Sequence, residues 1–191
     1  MTKSYHKKTF VSISLLFLIA GVFGQSNKKI ADLKKVLQSS DSIVLIKHKT
    51  TCDYMPMIIS DIEVADTSID GVKKLKEKRQ SCRLLKNGKI NSDISINSKV
   101  ISSEIKLQLI KILTTPKLSK NNEDEFKNLP LTTQTIAIYA KNKLQYIDID
   151  FAGKQLFCSQ NIHISEKDFD IDKWNKLESI FVKLDLIDKV E

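Results

Sequence analysis

The side chains best suited to chemistry lie in the last quarter of the chain. Cys158 and His163 supply a thiol and an imidazole five positions apart, and the carboxylates of Asp148 and Asp150 precede them. A nucleophilic cysteine needs a base within hydrogen-bond reach and a further group that orients the base. Two positions five apart on one strand face opposite sides of it, so this spacing separates the thiol from the imidazole. A structural role for Cys158 is therefore favoured over a catalytic one.

Asp148 and Asp150 form a second candidate pair. They fall on the same face of a predicted strand, as two carboxylates acting as acid and base require. The same alternation is also typical of a hairpin strand with one face in water. A hydrolase that uses Cys158 or this carboxylate pair is therefore the alternative to a protein without catalytic activity.

A zinc site is a further possibility that the spacing disfavours. His48 and Cys52, together with Cys82, Cys158 or His163, carry the nitrogen and sulfur ligands that zinc prefers. No two of them stand at the short spacing of a zinc finger or ribbon. Because His48 ends an apolar run, we expect it on the surface, and we expect no metal or other cofactor.

Asp168, Asp170 and Asp172 alternate along the chain in the manner of a calcium loop. The glycine and the closing glutamate of such a loop are missing here. Acidic residues also favour the positive N-terminus of a helix. We therefore expect Asp170 or Asp172 to cap a C-terminal helix.

The first 24 residues have the order of a secretory signal. A lysine-rich start precedes an apolar run from Phe10 to Phe23. A helix that crosses a bilayer needs about 20 apolar residues, so this run is too short to span one. Val22 and Gly24 are suited to the positions before a cleavage site. Residues 1–24 are predicted to be a signal peptide, which directs the protein to the periplasm or out of the cell.

Residues 25–191 are then expected to form a single α+β domain. Their length is ordinary for one domain, which needs no metal or disulfide to fold. All three cysteines, Cys52, Cys82 and Cys158, lie in this part and would meet oxidising conditions after export. Three thiols allow at most one internal disulfide, and the spacing leaves the pairing open.

The positive charge of the chain does not indicate binding to nucleic acid. The formal charge is +8, from 31 basic and 23 acidic residues. Three of the lysines belong to the signal, which leaves 28 − 23 = +5. Only Arg79 and Arg83 are arginines, whereas proteins that read bases favour arginine. The basic stretch 73–79 has no aromatic residues on which bases could stack. The expected partner is a protein or an envelope component.

Hydrophobic periodicity and turn residues predict helices and strands that do not alternate regularly. The clearest signal is a hairpin over 135–150, with two apolar strands around Lys141-Asn142-Lys143. This pattern predicts an α+β fold, an antiparallel sheet with helices packed on one face. Three further helices are predicted: one over 28–37 capped by Ser26, one capped by Ser102 or Ser103, and a C-terminal helix with Trp174, Leu177, Ile180, Phe181 and Leu184 on one apolar stripe. The other predicted strands are 43–46, 57–64 and 82–86, the last of which enters a turn at Asn87-Gly88. A loop is predicted over 117–130 and a strand-like stretch over 155–164.

The segment from Leu129 to Ile187 resembles a group of small exported proteins of bacteria with AT-rich genomes. It runs from a proline through two apolar strands to Cys158 and Ser159, and then to an amphipathic helix that ends in Leu-Asp-Leu-Ile. Proteins of this group often carry another cysteine near the last one, and this chain does not. The resemblance implies a cysteine-bearing hairpin closed by a helix, and it implies no particular chemistry.

The sequence contains none of the common catalytic motifs. GxSxG, HExxH, the P-loop and GxGxxG are all missing, and five glycines leave little material for phosphate-binding loops. The favoured interpretation is an exported protein that binds a partner or an envelope component without catalysis. An exported hydrolase and a periplasmic immunity-type protein are the alternatives.

Overall fold

The computed structural model describes residues 28–51, 53, 81–117 and 131–187. They form an α+β fold with three helices, a five-stranded antiparallel sheet and a separate two-stranded sheet, which confirms the predicted fold class. The elements are α1 (28–38), β1 (Ser42–His48), β2 (Leu85–Lys86), β3 (Lys89–Ile90), β4 (Ser95–Val100), α2 (Ser103–Thr114), β5 (Gln134–Ala140), β6 (Lys143–Asp150), β7 (Gln155–Cys158), a 3-10 turn (Glu166–Asp168) and α3 (Ile171–Lys183).

The large sheet has the strand order β4-β1-β5-β6-β7. The predicted hairpin forms its centre, and a two-residue turn joins β5 to β6. Both turn residues, Lys141 and Asn142, have positive φ angles of 47° and 62°. This geometry matches the twist of two antiparallel strands. The backbone N–H of Lys141 donates to a carboxylate oxygen of Asp41 at 2.8 Å, which compensates for the strained turn.

One face of the sheet, called here the helix-packed face, carries the hydrophobic core. The antiparallel registers align its isoleucines and leucine across the three central strands. Side chains from all three helices belong to the same buried cluster. The strand members are Ile43, Leu45, Ile136, Ile138, Ile147 and Ile149, and the helix members include Leu33, Leu37, Leu109, Leu113, Trp174, Leu177 and Phe181.

Helix α3 closes this core as the sequence predicts. Asp170 is its N-cap, and a carboxylate oxygen accepts a hydrogen bond from the backbone N–H of Lys173 at 3.0 Å. Phe151, which follows β6, packs edge-to-face on two α3 rings, with centroids 6.2 Å from Trp174 and 5.4 Å from Phe181. The helix therefore contacts the hairpin that precedes it.

Strand β4 is an element that the sequence analysis did not predict. Its sequence, Ser-Ile-Asn-Ser-Lys-Val, has only two apolar residues, and four of its six residues are exposed. The register with β1 holds it in place, with Val100 opposite Val44 and Ser98 opposite Ile46. The predicted strand 57–64, the cap at Ser26, most of loop 117–130 and the signal lie outside the described residues.

We expect Trp174→Ala to lower the free energy of unfolding by about 3–5 kcal/mol, because it empties a buried aromatic site. Trp174 is only 4% exposed. Ile171→Ala on the same helix is the control, since Ile171 is 53% exposed and its loss should stay within about 0.5 kcal/mol. Urea denaturation of both variants measures the difference. Equal effects at the two positions would contradict the packing described here.

Candidate functional site

A buried polar network joins the three central strands. His48 comes from the end of β1, Thr135 from β5 and Asp148 from β6. The register places Thr135 directly opposite Asp148, and the face they share, opposite the helices, is called here the second face. Nε2 of His48 lies 2.8 Å from Oγ1 of Thr135 and 3.1 Å from Oδ1 of Asp148, and the hydroxyl donates to the same Oδ1 at 2.7 Å.

The contacts of the ring fix where its hydrogens lie. Nδ1 of His48 is 2.8 Å from the carbonyl oxygen of Lys49, which only accepts, so Nδ1 carries a hydrogen. Because the hydroxyl of Thr135 donates to Asp148, it offers Nε2 only a lone pair. A hydrogen must therefore lie between Nε2 and the two oxygens, since three lone pairs would otherwise face one another. The network is a hydrogen-bonded ion pair or its neutral tautomer.

Only one of the two carboxyl oxygens of Asp148 has hydrogen-bond partners among the described residues. Its Oδ2 is buried and has no hydrogen-bond partner among the described residues. An unsatisfied buried oxygen costs stability, so the contacts of Oδ1 with His48 and Thr135 compensate for the burial of the whole carboxyl group. Loss of either donor is expected to be more costly here than in a fully satisfied network.

The network is closed to solvent. His48 is 1% exposed, and Thr135 and Asp148 are 0% exposed. The expectation that His48 lies on the surface is wrong, because the chain beyond its apolar run continues as a strand into the sheet. The expectation that Asp148 and Asp150 lie on a solvent-exposed face of the hairpin is also wrong, because both are buried. No substrate reaches these groups without an opening of the structure.

The carboxylate of Asp150 binds backbone N–H groups and does not form an acid–base pair with Asp148. One of its oxygens accepts from the N–H of Gly153 at 2.8 Å, and the other accepts from the N–H of Leu131 at 3.0 Å. A Cβ atom at position 153 would come within 2.5 Å of the Asp150 carboxylate, so the turn requires glycine. Both oxygens of Asp150 therefore accept backbone hydrogen bonds, one from the turn after β6 and the other from the segment that leads into β5.

Cys158 lies on the helix-packed face, away from the polar network. It is paired with Ile147 across β6 and β7, and its thiol donates to the carbonyl oxygen of Ile164 at 3.6 Å. Burial raises the pKa of this thiol to about 12, with a smaller contribution from the negative charge of Asp148. Its predicted partner, His163, is exposed. A thiolate nucleophile is disfavoured in this environment.

The acidic residues around the start of α3 bind backbone or a neighbouring lysine. Asp168 accepts from the backbone N–H of Ser165 at 2.9 Å, and Asp172 contacts Lys176 at 2.6 Å. The ammonium group of Lys173 donates to the carbonyl oxygens of Asp168 and Thr115. Desolvation lowers the pKa of this lysine. Within the described ranges, no cluster of three or more His, Cys, Asp or Glu side chains is arranged to hold a metal ion.

Thr135 is the member of the network that sequence reasoning missed. The two-residue turn at 141–142 fixes the hairpin register, which places Thr135 opposite Asp148. The sequence did offer a signal for this contact, namely a threonine placed opposite an aspartate in an otherwise apolar hairpin. A shallow surface depression lies elsewhere, and none of its lining residues belongs to the network. They are Asn175, Glu178, Ser179, Val182, Lys183 and Asp185, at the outer side and end of α3.

Comparison with known proteins identifies no relative of this chain. The chain matches no protein-family model, no curated protein and no solved structure. In the part of the chain that the structure describes, none of the helices has the length and apolar character needed to cross a membrane.

We expect Asp148→Asn to cost about 3–5 kcal/mol of stability, because it leaves the buried imidazole without its carboxyl partner. Thr135→Val should cost about 1–3 kcal/mol, since it removes a donor from a buried oxygen. The double variant should lose less than the sum, because both changes act on one oxygen. Thr133→Val is the control, since the hydroxyl of Thr133 bonds a neighbouring side chain in a half-buried position. Additive losses in urea denaturation would contradict a shared network.

We expect the stabilising contribution of Cys158 to fall at alkaline pH. Below pH 9.0 the thiol is neutral in the folded and the unfolded chain, and between pH 9.0 and about 12 only the unfolded chain releases the proton. Stability therefore falls as pH rises, by at most about 1.4 kcal/mol per pH unit, and by less because Cys158 is only partly buried. The stability difference between the wild type and Cys158→Ala should be smaller at about pH 10 than at about pH 8. An equal difference at both values would contradict a thiol kept neutral by burial.

Proposed function

We propose that the protein is an exported domain that binds a partner protein or an envelope component without catalysis. The observation that carries this proposal is the burial of its reactive groups. His48 and Asp148 are sealed within the sheet, and Cys158 carries a thiol whose pKa is raised to about 12. The chemistry that remains accessible is that of a binding surface.

The surface charge supports an anionic envelope component as one class of partner. Helix α1 exposes Lys28, Lys29, Lys34 and Lys35 and only one acidic residue, Asp32. Clustered lysines attract phosphate or carboxylate groups on membranes and polymers, and salt weakens this attraction. A folded domain that presents a lysine-rich helix fits such a role.

Export accounts for the first 24 residues and for the cysteines. The apolar run of 14 residues and the small residues before Gln25 support cleavage by a signal peptidase. Of the two cysteines within the described ranges, Cys158 has the free thiol. The backbone N–H of Leu84 donates to Oδ2 of Asp53 at 2.7 Å, so the neighbour of Cys52 is bound two residues from Cys82. We therefore favour a Cys52–Cys82 disulfide.

One mass measurement tests both parts of this proposal. The exported protein should begin at Gln25, and its mass should be lower by two hydrogens than that of the reduced form. Peptide mapping should join Cys52 to Cys82 and leave Cys158 open to alkylation after denaturation. A disulfide that closes this loop is expected to add about 3–4 kcal/mol of stability. An intact Met1, or a disulfide to Cys158, would contradict the assignment.

A binding experiment separates this function from hydrolysis. The mature protein, immobilised, is expected to retain an envelope component reversibly, with binding that weakens as salt rises. Cys158→Ala should bind equally well, because Cys158 packs against the core and is not part of the lysine-rich surface of α1. Conversion of the retained component to a product, lost in Cys158→Ala, would establish the hydrolase instead. A failure to retain any exported protein or envelope component at low salt would overturn the binding function.

A further inference from the structure

Among the residues that the structure describes, strand β4 is an edge of the five-stranded sheet, and its outward backbone groups have no strand partner. It is last in the strand order and pairs with β1 alone. The backbone N–H of Ile101 donates to the carbonyl oxygen of Ile43 at 3.1 Å, which sets the alternation of the antiparallel ladder. Residues 97, 99 and 101 therefore face β1, and the backbone groups of Ser98 and Val100 point away from the sheet.

The two apolar side chains of this edge are exposed. Ile96 is 56% exposed and Val100 is 71% exposed. Natural edge strands are commonly blunted by lysine, by a bulge or by a covering segment. β4 has one lysine, Lys99, and a bulge at Ile96, which has no partner residue in β1, but Ile96 and Val100 remain exposed. The opposite edge differs, since β7 is half-buried or buried along its whole length.

We propose that β4 pairs with β4 of a second copy of this chain, in an antiparallel dimer with its twofold axis at Ser98. In this register Ser98 meets Ser98 of the other copy, and Ile96 meets Val100. An isologous contact requires a self-complementary patch. The sequence Ile-Asn-Ser-Lys-Val satisfies this requirement, because an apolar residue lies two positions on either side of the central serine.

The charges along the strand favour this register. Lys99 is the only charged residue of β4. With the axis at Ser98, Lys99 of one copy lies opposite Asn97 of the other, whose amide oxygen accepts a hydrogen bond from an ammonium group. No lysine directly faces another, which is the arrangement that destabilises paired strands. A partner strand of other sequence would need the same apolar spacing and a neutral acceptor beside Lys99, which β4 itself provides.

The dimer is expected to be weak and to depend on concentration. A contact made by six residues from each copy buries less than the about 800 Å² per partner of a standard interface. The mature chain also carries net positive charge, so the two copies repel each other at low salt. Higher salt should therefore strengthen the dimer, whereas it should weaken binding to an anionic envelope component. The two proposals thus respond to salt in opposite directions and stand independently.

Sedimentation equilibrium of the mature protein at several concentrations tests the association. We expect a monomer–dimer equilibrium that Val100→Lys weakens by about tenfold or more, because a charge replaces an apolar cross-strand contact in both halves of the interface. Leu107→Lys is the matched control, because Leu107 is equally exposed, at 67%, but lies on α2. It should leave the equilibrium unchanged. A monomer at every concentration, or a dimer insensitive to Val100→Lys, would overturn the proposal.

Cysteine cross-linking tests the register. In a hydrogen-bonded antiparallel pair the two Cα atoms lie about 5.5 Å apart, a distance that a disulfide spans. Ser98→Cys should therefore give a covalent dimer on mild oxidation. Asn97→Cys and Lys99→Cys should cross-link much less, because neither residue faces its own copy. The wild type measures the background from the native thiols. Equal cross-linking at all three positions would show random collision and would contradict the twofold register.

Discussion

The register of the three central strands is the constraint on which the rest of the structure depends. A slip of one residue between β5 and β6 would turn Asp148 towards the helices and Ile147 away from them. The hydrogen bonds from His48 and Thr135 to Asp148 exist in only one register. A buried polar pair of this kind adds little net stability compared with apolar packing, and its best-attested use is to select one arrangement. Here it selects the arrangement that aligns the isoleucines of the core.

The same register separates the groups that chemistry would need together. Because Cys158 pairs with Ile147, its thiol joins the helix-packed face, while Asp148 belongs to the second face. His163 lies beyond the end of β7 and is exposed. A Cys–His–Asp arrangement would require these three side chains to meet on one side of the sheet. The fold instead places a strand layer between the thiol and the carboxylate.

Local signals in the sequence predicted the hairpin, the Asn87-Gly88 turn and α3, because each depends on residues within a few positions of one another. The network was not predictable in the same way, since the partners of His48 are 87 and 100 positions away. β4 was missed for a related reason. An edge strand needs no buried face, so Ser95–Val100 has no hydrophobic alternation to reveal it, and only its pairing with β1 defines it.

Edge pairing has a consequence for the binding surface. A dimer with its axis at Ser98 would carry two copies of α1 on one continuous sheet, so that two lysine-rich helices act together. Two weak sites on one rigid body raise the apparent affinity for a repeating polymer or a membrane far above that of one site, provided that both reach the target. The association itself should be weak in solution and should strengthen where the protein is concentrated at a surface. Binding and dimerisation would then reinforce each other, because a polyanion that collects the chains also neutralises the positive charge that keeps them apart.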